Sequence, residues 1–250
     1  MKNKKFFFLT GIMRCGNTVL TSLINQNPNL CISPNSIVPE IIFRLYNLKN
    51  DPIFDEQKDH KSYDSVIKSV LDSYYKDWKQ EYIIERGPWG TPFNYEALKE
   101  LGYLPSKFIC LVRPIKEIIA SFVKVVKPTK FEIVDFCSFL MHESGPIGKS
   151  ILALNNLAEK EKDNLHIIQY HDLCKDPEKI LKKLYSFLEI EYYKEHKFTN
   201  LKQVDFSKGE QTTIRTDKVS LKKYNYDLWL PKEIIKKYEN ASVFTSSKNR

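Results

Sequence analysis

The sequence predicts an α/β fold, with a central parallel sheet flanked by helices on both faces. Three observations carry this. Short apolar runs recur at 6–9, 82–84, 107–112 and 165–170, each the length of a strand. The stretches between them carry the 3.6-residue spacing of amphipathic helices. Turn-forming residues follow the apolar runs rather than interrupting them. Strands that alternate with helices build right-handed crossovers, which gather the strand C-termini, and with them the ligand-binding edge, on one side.

The elements follow in chain order. Phe6-Phe7-Phe8-Leu9 is a buried strand after a basic start. A glycine-bounded turn leads into a helix over 16–25, which stops at Asn27-Pro28-Asn29. Leu30-Cys31-Ile32 is a short strand. A helix over 39–48, a polar loop over 50–63 and a helix over 63–80 follow, the last through Val66, Ile67, Val70, Leu71 and Tyr74. Tyr82-Ile83-Ile84 opens onto Glu85-Arg86-Gly87-Pro88-Trp89-Gly90-Thr91-Pro92, a loop dense in glycine and proline. After a helix over 93–101, the run 107–112 is the clearest buried strand, ending at Arg113-Pro114. Helices are predicted over 115–126 and 131–157, the second breaking at Gly145-Pro146, then a strand over 165–170 and a helix over 177–188. Residues 200–226 are polar and basic with no period. A helix over 231–238 closes a single domain over 1–240, and the Ser-rich tail 241–250 is expected to fray.

The chain has 250 residues, enough for one sizeable core. Lys and Arg number 39 against 31 Asp and Glu, a net charge of +8, which favours anionic ligands. No RNA-reading aromatic motif and no Cys/His pattern at zinc spacing occurs, so neither nucleic acid nor a metal is expected as a partner. The five cysteines are scattered, without a CxxC pair, which indicates a reducing compartment and a cytoplasmic protein. The 6–9 run is too short to span a bilayer, so no transmembrane segment is expected.

The stretch with chemistry is Thr10-Gly11-Ile12-Met13-Arg14-Cys15-Gly16-Asn17-Thr18. A strand, a glycine turn and a helix N-terminus point several backbone N–H groups at one place, a ready site for phosphate or sulfate. Gly11 and Gly16 have the spacing of the Walker loop, but Asn17 stands where its Lys belongs. That Lys reaches the terminal phosphates of ATP, so its absence speaks against an ATPase or kinase. The cation here is Arg14, inside the loop.

Three segments in this order resemble the sulfotransferases. Gly11-Ile12-Met13-Arg14-Cys15-Gly16-Asn17-Thr18 resembles their G-x-P-R-S-G-T-T loop. Leu111-Val112-Arg113-Pro114, with Ser121 eight residues after Arg113, resembles their second nucleotide motif. Residues 167–177, with Tyr170-His171-Asp172-Leu173 and Asp176-Pro177, resemble their Y-E-D-L…D-P segment. The likeness is greater to the tyrosylprotein-type and small bacterial or viral enzymes than to the cytosolic steroid and phenol class.

The resemblance implies a P-loop NTPase-like fold and sulfuryl transfer from 3′-phosphoadenosine 5′-phosphosulfate (PAPS) to a hydroxyl or amine, leaving 3′,5′-ADP, with no metal. It implies that Arg14, Cys15, Gly16, Asn17 and Thr18 hold the 5′-phosphosulfate. Arg113 and Ser121 would take the 3′-phosphate, with Tyr170 on the same edge. Arg14 and Arg86 would stabilise charge on the leaving side; Arg86 stands where relatives carry a Lys, and its planar fork differs from an ammonium. Late basic residues, Arg215 with Lys222 or Lys223, would close over the nucleotide. The loop departs from the family pattern at two places, Met13 for its Pro and Cys15 for its Ser, which loses a hydroxyl donor; both are expected to be tolerated where backbone N–H groups do most of the binding. The general base departs further. The tyrosylprotein-type Glu falls on Asn35 and the cytosolic-type His near Pro88, neither of which can accept a proton. Glu40 is the first substitute, with Glu85, His142 and His171 as further options. Trp89 and Phe93 would border the acceptor, a small molecule, sugar or peptide. The alternatives are a small-molecule kinase on the same fold, and a nucleotide-binding relative without turnover.

Overall fold

The computed structural model describes residues 4–33, 36–56, 59–205, 210–215, 219–221 and 225–244. In chain order the elements are β1 (Lys5–Gly11), α1 (Asn17–Ile24), β2 (Leu30–Ile32), α2 (Val38–Leu48), α3 (Pro52–Glu56), α4 (His60–Lys68), α5 (Val70–Tyr74), β3 (Tyr82–Arg86), α6 (Pro92–Glu100), β4 (Phe108–Val112), α7 (Ile115–Val126), α8 (Ile133–Met141), α9 (Pro146–Lys160), β5 (Leu165–Gln169), α10 (Tyr170–Lys175), α11 (Pro177–Leu188), β6 (Leu201–Asp205), β7 (Glu210–Arg215) and α12 (Lys232–Lys237).

The first five strands form one sheet in the order β2-β3-β1-β4-β5. Every pairing in it is parallel, with Phe7 opposite Ile84, Thr10 opposite Cys110 and Cys110 opposite Ile167. β1 is the central strand. The chain leaves it for one edge, returns to β3 at its side, then crosses to β4 on the other side. That reversal opens a crevice at the C-terminal end of β1, where open α/β sheets bind ligands.

Because side chains alternate along a strand, the aromatic run of β1 feeds two cores. Phe7 and Leu9 pack with Leu20 and Leu23 of α1, Ile118 and Ile119 of α7, and Leu181 and Leu184 of α11. Phe6 and Phe8 pack on the other face with Ile42 of α2, Leu71 of α5, Leu98 of α6 and Leu157 of α9. All four are under 10% exposed, and burying each contributes about 1.5–3 kcal/mol. The loop after β1 therefore has a fixed root.

The architecture is the one the sequence implies, with local differences. The 50–63 segment holds α3 and the start of α4. Asp59 caps α4 by accepting a hydrogen bond from the Ser62 backbone N–H at 3.0 Å, a signal within a stretch whose charge reads as loop. The helix expected over 63–80 is interrupted at Ser69 and ends at Tyr74, which leaves Tyr75 to enter the core. Residues 200–226 include the antiparallel hairpin β6–β7. Its strands are polar, so no alternation marks them, yet Leu201 is buried and β6 lies against α1.

Candidate active site

The loop between β1 and α1 is pinned by two buried side chains, Ile12 and Cys15, both 0% exposed, while Met13 and Arg14 turn outward. Arg14 adopts a left-handed backbone (φ 69°), as does Gly16 (φ 101°). Left-handed conformations are costly for a side-chain-bearing residue and cluster at ligand sites. Gly16 caps α1 without a side-chain cap bond, so among the described residues the N–H groups of the first turn are left open, as they are at helix N-termini that bind anions.

Only glycine fits at position 16. A Cβ there would lie 2.4 Å from the Tyr170 ring, which packs on the loop. The Arg113 guanidinium stacks on that ring, 4.6 Å from its centre. Glu117, in the first turn of α7, holds Arg113 from the side: its Oε2 accepts from Arg113 Nε at 2.5 Å, and its Oε1 lies 2.8 Å from His171 Nε2. Arg113 also touches the loop through its own main chain, whose N–H bonds the Cys15 thiol. Burial nevertheless pushes that thiol up to about 12, so Cys15 is an inert filler of the loop. Finally Arg14 Nε donates to Ser121 Oγ at 3.0 Å. Arg14, Gly16, Arg113, Ser121 and Tyr170 thus form one continuous cluster.

A second wall stands across the loop. The segment after β3 is tied to β1 by Gly87 N–H to Leu9 O (3.1 Å) and Gly90 N–H to Thr10 Oγ1 (3.2 Å). It presents Arg86, Gly87, Pro88 and Thr91 to a cavity of about 350 Å³, whose other lining includes Met13, Asn17, Lys149, Ser150 and Leu154. Arg86 is half-buried, and burial lowers its pKa. No side chain among the described residues pairs with its guanidinium. Asn17 is buried on this wall, its Nδ2 donating to Ile12 O at 3.4 Å. Thr18 is half-buried, and its carbonyl accepts from Ser22 Oγ at 2.8 Å.

The other sequence candidates fall elsewhere. Glu40 sits on an exposed face of α2, 2.7 Å from Arg44, and does not line the cavity. Glu85 is wholly buried. Ser33 donates to it at 2.7 Å, and Ser36 and Tyr75 donate as well, so it ties the segment before α2 to the sheet. Trp89, expected beside the acceptor, is instead 0% exposed and packs on Phe8, because the loop folds its indole inward. Phe93 is partly exposed but pairs with Phe43 and Tyr46. His142 bonds Ser144 at an exposed turn. Only the backbone of Arg215 is described, at the end of β7, and Asn35, Lys222 and Lys223 lie outside the described residues. Sequence reasoning missed Glu117 and the α9 wall. Glu117 carried a signal, its i,i+4 spacing from Arg113. Lys149 and Ser150 carried none, since only tertiary packing brings α9 to the loop. Among the described residues, no group of His, Cys, Asp or Glu is placed to hold a metal.

A glycine turn at the end of the central parallel strand, opening a helix with arginines on either side, is the arrangement of a P-loop-like α/β fold. The chain belongs to the sulfotransferase family, whose model matches residues 7–195. It is a sulfotransferase, an enzyme of sulfuryl transfer. No curated protein matches the chain significantly. Solved structures with a similar fold include the sulfotransferase STF9 from Mycobacterium avium (12% identity, 97% of this chain and 78% of that one, TM-score 0.52). A sulfotransferase from Alicyclobacillus acidocaldarius is 12% identical over 76% of this chain and 83% of that one (TM-score 0.51). The sulfotransferase domain of the Synechococcus PCC 7002 olefin synthase is 16% identical over 77% and 76% (TM-score 0.50). At these identities the likeness is one of fold.

Proposed function

We propose that the sulfuryl donor is PAPS, gripped at both ends by the cluster around Gly16. The loop N–H groups of residues 14–18 and Arg14 take the 5′-phosphosulfate. Arg113 and Ser121 take the 3′-phosphate as charge-assisted bonds. The observation that supports this is the run of neighbours from Gly16 through the Tyr170 ring to Arg113, all at one edge of the sheet. The Arg14–Ser121 bond then opens as the nucleotide enters between them.

The acceptor hydroxyl or amine attacks sulfur in line. The new bond forms to sulfur as the bond to the bridging oxygen of the 5′-phosphate breaks; that oxygen gains the negative charge, and the acceptor's proton passes to solvent water. Positioned cations do most of the work in such transfers. Arg14 serves the leaving oxygen, and Arg86, with no partner among the described residues, serves the sulfuryl oxygens. Glu40 and Glu85 do not line the cavity, so catalysis rests on positioning and charge. The acceptor is a small molecule, sugar or peptide. Five free cysteines, all buried, support a cytoplasmic setting, and among the described residues no helix is long and apolar enough to cross a membrane.

A thermal-shift series with 3′,5′-ADP, 5′-AMP and ATP tests the donor. A ligand at a hundred times its Kd stabilises by about 2.7 kcal/mol, a readily seen shift. The largest shift is expected with 3′,5′-ADP, and label from PAPS should pass to a mixed acceptor pool. A larger shift with ATP overturns the reading.

A further inference from the structure

The cavity beside the loop holds more positive charge than the donor calls for. Arg86 stands half-buried on one wall with no partner among the described residues, and Lys149 stands exposed on the other, likewise unpaired. Lys149 lies in the first turn of α9, a 15-residue helix with no acid in that turn. A lysine there adds to the positive end of the helix dipole instead of offsetting it. No Asp or Glu is among the lining residues described. Arg86 is partly desolvated, and a partly buried cation with no carboxylate beside it is stabilised where an anion completes it. The transferred sulfuryl group brings a single negative charge. Arg86, the deeper cation, meets it; Lys149, at the mouth, is left over.

We propose that Lys149 reads a negative charge on the acceptor, and that the acceptor is a small molecule with a hydroxyl at one end and a carboxylate or other oxyanion at the other. This rests on the donor reading above. Three features set the class. The volume of about 350 Å³ suits a small ligand rather than a polymer segment. Met13, Pro88, Ala153 and Leu154 give the cavity apolar lining. Arg86 and Lys149 stand at two places on the wall, one to receive the reacting end and one the anionic end. The Ser150 hydroxyl is already committed to Pro146 O at 2.7 Å, so charge rather than a hydroxyl makes the selection.

The test uses a matched pair, 3-(4-hydroxyphenyl)propionate and its methyl ester, titrated into the protein with and without saturating 3′,5′-ADP. An aliphatic pair, 3-hydroxybutyrate and its methyl ester, is run beside it. The wild-type chain should bind each acid about tenfold tighter than its ester. Lys149→Ala should bring the acid down to the ester's affinity while 3′,5′-ADP still binds, and Lys149→Arg should restore the preference. Equal affinity for acid and ester, no measurable binding of either acid, or a preference that survives Lys149→Ala overturns the proposal. So does a Lys149→Ala enzyme that transfers label from PAPS more slowly to acid and ester alike, since Lys149 would then act on the donor. Failure of the donor reading shows separately, as absent 3′,5′-ADP binding; the acid preference is then read in the nucleotide-free titration.

Discussion

Gly16→Ala probes the contact on which the site is built. Two costs add. Alanine must hold a φ of 101°, a left-handed conformation that costs an L-residue roughly 1–2 kcal/mol. Its Cβ must also share space with the Tyr170 ring at 2.4 Å, and such overpacking costs about 1–3 kcal/mol. Together they amount to about 2–5 kcal/mol, against a total stability of roughly 5–15 kcal/mol for a domain. Urea unfolding should show this as a lower midpoint at unchanged slope. The clash is separable from the backbone strain by a double-mutant cycle: in a Tyr170→Ala background the ring is gone, so the same glycine change should cost only the backbone part. Because the ring also carries Arg113, Gly16→Ala should weaken 3′,5′-ADP in step. A loss below about 1 kcal/mol, or an equal loss with and without the Tyr170 ring, would refute the reasoning.

Three further outcomes follow from the same geometry. Glu117→Gln strips the buried Arg113 of its carboxylate, which should cost about 3–5 kcal/mol without ligand. Part of that should return with 3′,5′-ADP, whose phosphate supplies the missing charge, and equal losses in urea melts with and without nucleotide would contradict the pairing. Burial raises the Glu85 pKa above its ordinary 4.5, partly offset by its three hydroxyl donors. The folded state therefore holds that proton more tightly than the unfolded chain. The group's contribution is full below pH 4.5 and is lost as pH rises through the folded value, so Glu85→Gln should flatten the fall in stability over that window in melts taken at stepped pH. All five cysteines are buried and free, and the Cys15 thiol is held near 12, so Ellman's reagent should find native thiols unreactive and titrate five after unfolding; a fast native thiol that Cys15→Ser removes would place Cys15 outside the loop interior.

The sheet was legible because its inner strands are buried on both faces. The Phe6–Leu9 and Phe108–Val112 runs are apolar without alternation, as parallel strands between helix layers must be. The loop was legible because glycine spacing and a strand-to-helix change mark it locally. Trp89 was misplaced because nothing local tells an indole that faces the core from one that faces a cleft; that is decided by Phe8 on the neighbouring strand. The hairpin β6–β7 escaped because polar, threonine-rich strands show no periodicity. Lys149 escaped for a different reason. It reaches the site only because α9 lies tight against the loop after β3, where a Cβ on Gly90 would sit 3.2 Å from Ala153 O. Such adjacency belongs to packing, and a single sequence does not carry it.

The affinities of wild type and Arg113→Ala for 3′,5′-ADP and 5′-AMP, measured by calorimetry, bear most directly on the two-ended grip. A charge-assisted phosphate bond contributes about 1.5–3 kcal/mol, so Arg113→Ala should weaken 3′,5′-ADP roughly ten- to a hundredfold and leave 5′-AMP nearly unchanged. Equal losses for the two nucleotides would mean that Arg113 serves the fold through Glu117 and Tyr170 and does not hold the 3′-phosphate.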